Sequence, residues 1–245
     1  MAKSVRNDDP LAIAGVAAIR AGDLAALERW LADNPDFANL QIADAKGGYR
    51  TPLHVVTDWP GYFPNGPAVV RLLLARGADP NCGAAGLLQG YQETPLHWAA
   101  SSDDVDVAEA LITGGADIEA PGGSIAGGTP LDNAVGYGCW RVARLLVQRG
   151  ARVDKLWHAA ALGMLARMEE LLQGASAAEI NNAFWQACAG GQRRTAEILL
   201  AHGADLNWVP EYARGTPLDQ ATSIDTGRAA LVAWLQERGA RSSRP

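Results

Sequence analysis

A motif that returns in phase along the chain constrains its fold more than any other feature. Thr-Pro-Leu opens the motif four times, at Thr51, Thr94, Thr129 and Thr216. Two degenerate copies follow, one from Lys155 and one from Asn182. Each copy leads through a Leu-rich stretch to a Gly-Ala pair, at Gly77, Gly115, Gly150, Gly174, Gly203 and Gly239. Regular self-similarity is typical of repeat proteins, whose units bury their apolar faces only by stacking on one another.

Each clear copy carries the start and stop signals of a helix pair. The opening threonine is suited to cap a helix N-terminus, because its hydroxyl can accept a backbone N–H that has no partner in the helix. The proline after it suits the first helical position, where a missing N–H costs nothing. Apolar pairs such as Val69-Val70 and Leu72-Leu73 recur at helical spacing. The closing glycine supplies a left-handed stop.

The phased Thr-Pro-Leu-His motif resembles the ankyrin-repeat family. The resemblance implies an all-α fold, an ankyrin-repeat solenoid of stacked helix-turn-helix units with short hairpin fingers. We expect a single array over residues 11–241, flanked by tails at 1–10 and 242–245. Its cap unit covers residues 11–41, and further units start near 51, 94, 129, 155, 182 and 216. The resemblance also implies noncatalytic recognition of a protein or peptide on the concave groove and the fingers.

Composition limits the kind of partner. The chain has 245 residues, 48% of them hydrophobic, and a formal net charge of −6. This composition is that of a globular chain rather than a disordered or membrane-spanning one, and the negative charge argues against nucleic acid or an anionic membrane as partner. The three cysteines, Cys82, Cys139 and Cys188, form neither a metal-type pair nor a disulfide framework, so we expect a reducing, cytoplasmic setting.

The N-terminal segment faintly resembles a signal peptide. Lys3 and Arg6 precede an apolar run over residues 11–19, but Asp8, Asp9 and Pro10 interrupt it. We therefore expect a helix here rather than a targeting signal.

The first departure from the repeat is an insertion at residues 58–67, between the two helices of the unit that starts at Thr51. It places Trp59, Tyr62 and Phe63 among three prolines and two glycines. A proline-rich loop that presents aromatic rings is suited to binding, because part of its ordering cost is already met. The alternative is that Trp59 and Phe63 pack back onto a neighbouring unit.

The fingers and one slot of the motif supply the other candidate residues. A long connection over residues 82–93 carries Tyr91, and a later finger carries Trp208 and Tyr212. Residues 150–155 are too short for a finger, which predicts an open stretch there. The residue after each motif histidine is expected to face the groove, which selects Trp98, Asn133 and Gln186, and Tyr137 follows Asn133 by one turn. This mixture of rings and polar groups suits a peptide hot spot or a small-ligand pocket.

The chain has 8 Trp and only 3 Phe, and the repeat phase divides the tryptophans between core and surface. We expect Trp30, Trp157 and Trp234 to stack between helices, and Trp59, Trp98 and Trp208 to be displayed. The phase does not decide between these fates for Trp140 and Trp185.

Metal and acid–base chemistry are the competing interpretation. His54, His97 and His158 share one slot of separate units, about 8–10 Å apart if neighbouring helices are in contact. That spacing is far above a zinc–nitrogen bond of about 2.1 Å, so we expect local hydrogen bonds, no metal and no cofactor. An enzyme or small-molecule binder remains as the alternative, with Asp58, His54, His97, Asp132 and Tyr137 converging under the 58–67 loop. A closed cavity containing Trp59 and Trp98 would favour that alternative.

Overall fold

The computed structural model of the chain describes residues 3–85, 92–223 and 228–243. The chain divides into two compact units, residues 1–151 and residues 152–245. Four consecutive pairs of helices form the described part of the first unit: α1 (Pro10–Ala21) and α2 (Leu24–Asp33), α3 (Pro52–Thr57) and α4 (Gly66–Ala75), α5 (Pro95–Ser101) and α6 (Val105–Thr113), α7 (Pro130–Gly136) and α8 (Trp140–Gln148).

The second unit contributes three further pairs within its described residues. They are α9 (Leu156–Leu162) and α10 (Leu165–Leu172), α11 (Ala177–Ala189) and α12 (Arg193–Ala201), α13 (Pro217–Thr222) and α14 (Ala229–Glu237). The all-α ankyrin-type fold expected from the motif is confirmed. Helix α11 begins well before Asn182. Ser176 and Glu179 form a capping box that starts this helix directly after the preceding repeat.

Stacking, rather than intrinsic helix stability, holds the first unit together. The first helices of successive pairs contact one another in the order α1, α3, α5, α7, and the second helices in the order α2, α4, α6, α8. Helices as short as α3, with 6 residues, are marginal alone in water. Their apolar sides are buried completely, as at Leu53, Val69 and Leu96. Burial of that size is worth about 2 kcal/mol for each leucine side chain.

The motif histidines join the first turn of one pair to the backbone of the next. The backbone N–H of Thr51 donates to Nδ1 of His54 (3.2 Å), and His54 Nε2 donates to the Glu93 carbonyl (2.9 Å). His97 repeats the arrangement with Thr94 (3.1 Å) and the Gly128 carbonyl (3.2 Å). Because Nδ1 accepts and Nε2 donates, both rings are neutral. The expected local hydrogen bond is confirmed, and a bond to the next repeat accompanies it.

An aspartate performs the same local role where the histidine is absent. Asp219 accepts from the Thr216 backbone (2.8 Å) and from its hydroxyl (3.0 Å). It also accepts from the Ser242 hydroxyl and from the Ser243 backbone and hydroxyl. Burial raises the pKa of Asp219, but these hydrogen bonds outweigh it and hold that pKa well below its usual range. Residues 242–243, in the stretch expected to be a C-terminal tail, therefore hydrogen-bond to α13.

An aspartate and an asparagine organise the base of the finger that follows α4. After the left-handed Gly77 (φ +82°), the carboxylate of Asp79 accepts from the Asn81 backbone (2.8 Å). The Asn81 amide then reaches the next finger, where it donates to the Gly115 carbonyl (3.1 Å) and accepts from the Asp117 backbone (2.7 Å). Asn39 bridges to Gly77 and Asp79 in the same way. We call these contacts the asparagine bridges.

The hairpin fingers carry the little strand structure that the described residues contain. Strand β1 (Ser4–Arg6) pairs in parallel with β2 (Gln41–Ala43), which pairs antiparallel with β3 (Tyr49–Arg50). Tyr49 then bridges Ala85, and Ala84 bridges Glu93. The N-terminal residues, expected to be a tail, therefore add a strand to the first finger. Asp9 caps α1 by accepting the Leu11 backbone N–H (2.8 Å), so the residues that interrupt the apolar run start a helix.

The buried neutral imidazole of His54 makes stability dependent on pH. Burial lowers the pKa of His54 from 6.5 to about 4. Between these two pH values the imidazole is protonated in the unfolded chain and neutral in the folded chain. Stability is then lost as pH falls from about 6.5 to about 4, by about 3 kcal/mol for this residue. Urea unfolding of wild type and His54→Ala should therefore show a gap in unfolding free energy that narrows over this range.

The control is Val55→Ala, which removes buried apolar atoms next to His54 and no titratable group. Its gap in unfolding free energy to wild type should stay constant between pH 7.5 and pH 4.5, because both chains keep His54. A gap between wild type and His54→Ala that stays constant over this range would contradict a buried neutral His54.

Candidate functional site

The inserted 58–67 loop is fixed at its first end by charge and by a ring contact. Oδ2 of Asp58 accepts from Arg50 (2.7 Å) and from Arg20 (3.1 Å). The Arg20 guanidinium also lies over the Phe63 ring, 5.7 Å from its centroid. Asn65 donates to the Gly22 carbonyl between α1 and α2 (2.9 Å). The loop is thus attached to the first helix pair.

Tyr62 fixes the same loop to the two pairs that follow. Its backbone N–H donates to Asp104 (2.7 Å), its hydroxyl donates to the Asp103 carbonyl, and Arg141 donates to that hydroxyl. Asp103 in turn accepts from the Arg141 side chain (2.9 Å) and from the Val142 backbone (3.0 Å). Asp103 and Asp104 therefore lie in the turn before α6 and also hold the loop.

The three aromatic residues of the loop have different fates. Trp59 is 79% exposed and Tyr62 is 55% exposed, whereas Phe63 is half-buried under Arg20. Trp59 is therefore exposed to solvent, Phe63 packs back onto the first helix pair, and Tyr62 anchors the loop. The loop borders the neighbouring surface and leaves it open.

Trp59 and Trp98 line one depression of about 240 Å³, which we call the aromatic depression. Tyr137 and Glu93 line it as well, together with the hydroxyl residues Ser101, Ser102 and Ser124. Trp98 is half-buried, and its ring packs edge-on against the His54 ring, with centroids 4.9 Å apart and planes at 74°. Tyr137 is 52% exposed, and its hydroxyl lies 3.1 Å from the Ser124 hydroxyl. Three residues predicted for the site, Trp59, Trp98 and Tyr137, thus line the same depression.

Asn133 organises this depression from below. It is fully buried, and its amide donates to Oε1 of Glu93 (2.6 Å) and to the Ser101 hydroxyl (3.2 Å). Its carbonyl accepts from the Ile125 backbone (3.2 Å), which closes the glycine-rich finger over α7. A Cβ on Gly123 of that finger would lie 2.6 Å from Oδ1 of Asn133, so this glycine permits close packing.

The expectation that the slot after the motif histidine faces a groove is wrong at most positions. Val55, Asn133, Ala159 and Gln186 are all buried at that slot. At these positions the slot lies in the contact between the first helices of successive pairs, which buries the side chain. Trp98 extends beyond this contact because its ring is larger. Tyr91 lies outside the described residues.

The second unit holds the remaining candidates. Tyr212 is 67% exposed, its hydroxyl donates to Asn182 (2.5 Å), and its ring meets the Trp185 ring edge-on with centroids 6.2 Å apart. Trp208 is half-buried in the same finger. Trp185 and Trp234 belong to the core. A second depression, of about 510 Å³, occupies the stretch where fingers are short and includes Asp154, Trp157 and Glu179 in its lining.

The motif residues His54, His97 and Asp219 are held in structural hydrogen bonds. Burial lowers the pKa of His97, as it does that of His54, and raises the pKa of the Cys139 thiol to about 11. In the described part of the chain, no group of three or more His, Cys, Asp or Glu side chains is placed to hold a metal ion. Among the same residues, no helix is long and apolar enough to cross a membrane.

Stacked pairs of short helices with hairpin fingers define a helical repeat protein. A family model described as ankyrin repeats, in three copies, matches residues 62–155, which supports the resemblance to the ankyrin-repeat family. The B-cell lymphoma 3 protein homolog of Mus musculus is 27% identical over 197 residues, which cover 79% of this chain and 36% of the mouse protein. The chain therefore spans about a third of that relative.

A solved structure agrees with this assignment. The crystal structure of the ankyrin repeat domain of Bcl-3, described as a unique member of the IkappaB protein family, matches with a TM-score of 0.53. It is 26% identical and covers 95% of this chain and 100% of that domain. The predicted family and fold are confirmed, and both likenesses support a protein–protein interaction module.

The Tyr62 anchor predicts how the loop can be released. Tyr62→Phe removes the hydroxyl that joins Asp103 and Arg141, at a cost of about 1 kcal/mol, and keeps an aromatic site for chymotrypsin. We expect several-fold faster cleavage within residues 58–67, measured by mass spectrometry, with little change in melting temperature. Tyr212→Phe removes the phenol hydroxyl of another exposed tyrosine, in the second unit, and should leave cleavage in the loop unchanged. Equal cleavage of wild type and Tyr62→Phe would show that other contacts hold the loop.

Proposed function

We propose that the chain is a noncatalytic protein- or peptide-recognition module that binds through the aromatic depression and the neighbouring fingers. The single observation that carries this proposal is the placement of Trp59, Trp98 and Tyr137 around one open depression. Tryptophan and tyrosine are enriched among the residues that dominate binding energy, particularly where polar groups lie beside them.

The fixation of the loop supports binding by a preformed surface. The loop that carries Trp59 is attached to Arg20 and Arg50 on one side and to Asp104 and Arg141 on the other. A surface ordered before binding loses less conformational entropy when a partner arrives. The open border of the depression favours a macromolecule over an enclosed small ligand, since small-molecule sites bury most of the ligand surface.

The exposed finger of the second unit is a further candidate contact. Trp208 and Tyr212 lie in this finger, and the Tyr212 hydroxyl is held by Asn182. Gln186 contributes to this unit from a buried position, so we assign it a supporting role.

A selection from a random peptide library displayed on phage tests the proposal. Peptides enriched on the wild-type chain should bind the double variant Trp59→Ala/Tyr137→Ala at least about tenfold more weakly, because two exposed rings of the depression are lost. Both rings are more than half exposed, so the melting temperature should change little. Fluorescence titration of synthetic peptides supplies the affinities.

The matched control is Tyr212→Ala, which removes one exposed ring of the second unit. Peptides that lose affinity only for the control would place binding on the second unit's finger. Absence of any enriched peptide on the wild-type chain would overturn the proposed function.

A further inference from the structure

We propose that the aromatic depression binds the guanidinium group of an arginine within a basic segment of a protein partner. This inference rests on the proposed function and adds the chemistry of the group that is bound. The observations behind it are the three rings, the carboxylates of Glu93 and Asp58 and a set of hydroxyl acceptors in the same depression.

The rings supply the first part of the recognition. A cation over the face of a tryptophan or tyrosine ring is attracted by the electron density of that face, and arginine also stacks on it as a planar group. Trp98 is held in orientation by the edge contact with His54 at 4.9 Å. Trp59 and Tyr137 are 79% and 52% exposed, so an incoming side chain can reach them.

Glu93 supplies the negative charge. Its Oε1 accepts from the Asn133 amide (2.6 Å) and from the Ser124 backbone (2.8 Å), so the carboxylate is fixed in place. Among the described residues, Oε2 of Glu93 takes no hydrogen bond and the side chain forms no ion pair. A guanidinium can therefore donate to this carboxylate while it stacks on the rings.

The surrounding charges and acceptors fit the same ligand. Arg20 and Arg50 are both engaged by Asp58, so they form their own ion pairs at the edge of the depression. The hydroxyls of Ser101, Ser124 and Tyr137 offer acceptors for the remaining N–H groups of an arginine. The formal net charge of −6 favours approach of a basic segment over an acidic one.

The direct test is a titration followed by the indole N–H signals of the ¹⁵N-labelled chain. The probe is the blocked peptide Gly-Gly-Arg-Gly-Gly, compared with the same peptide carrying citrulline, which has the shape of arginine without the charge. We expect the arginine peptide to shift the Trp59 and Trp98 signals and to bind about tenfold more tightly than the citrulline peptide. Equal affinity for the two peptides, or equal affinity for a lysine peptide, would overturn the arginine assignment.

Two charge variants sharpen the result. Glu93→Gln keeps an oxygen that can accept from Asn133 and Ser124 and removes the charge; it should reduce the affinity for the arginine peptide to that for citrulline. Glu211→Gln makes the same change in net charge on an exposed finger of the second unit and should leave affinity unchanged. Equal losses in both variants would show a nonspecific charge effect and contradict the proposal.

Two further measurements separate the possible failures. Trp59→Ala alters only a largely exposed ring and should weaken binding of the arginine peptide even if Glu93→Gln proves unstable. In the phage selection, enriched peptides without arginine would overturn this inference and leave the proposed function intact. A selection without any enriched peptide would overturn the proposed function itself.

Discussion

The backbone groups at the start of each short helix need partners, and the rest of the structure depends on how they obtain them. The first N–H groups of a helix cannot bond within it. In the first unit, His54 and His97 accept from the opening threonine and donate to a carbonyl of the next pair. One side chain therefore caps a helix and joins two repeats. Each helix is too short to be stable alone, so it needs both a cap and a neighbouring repeat. The motif histidine supplies the cap and the link to the next repeat.

The contacts that cap helices and join repeats also hold side chains of the candidate site in place, although that site is not buried. The edge contact between His54 and Trp98 couples the orientation of a half-buried ring to the capping hydrogen bonds. Asn133 connects Glu93, Ser101 and the glycine-rich finger through a single amide. The side chains of Trp98, Glu93 and Ser101 are thus positioned by the contacts that hold the repeats together.

The sequence predicts the features that repeat and fails where contacts join distant, unrepeated residues. Thr-Pro-Leu and the Gly-Ala pairs locate the helix pairs because caps, proline at the first turn and left-handed glycines act locally. Trp59 is exposed, as the sequence predicts, whereas Trp98 is half-buried against His54. Asn133 and Gln186 were misplaced because burial at their slot depends on how closely neighbouring helices approach. Tyr62 and Arg141, which are in contact, lie 79 residues apart in the sequence. No local sequence pattern predicts this contact.

The asparagine bridges have a consequence for how this surface can be altered. Asn39 and Asn81 connect successive fingers at their bases, through both the carbonyl and the N–H of each amide. Farther along the first two of these fingers, the bridge between Tyr49 and Ala85 adds a second link between repeats. A finger tip can be lengthened or exchanged for a foreign sequence while the bridge keeps the register below it. The chain accordingly offers a scaffold on which binding loops can be grafted without redesign of the stacked helices.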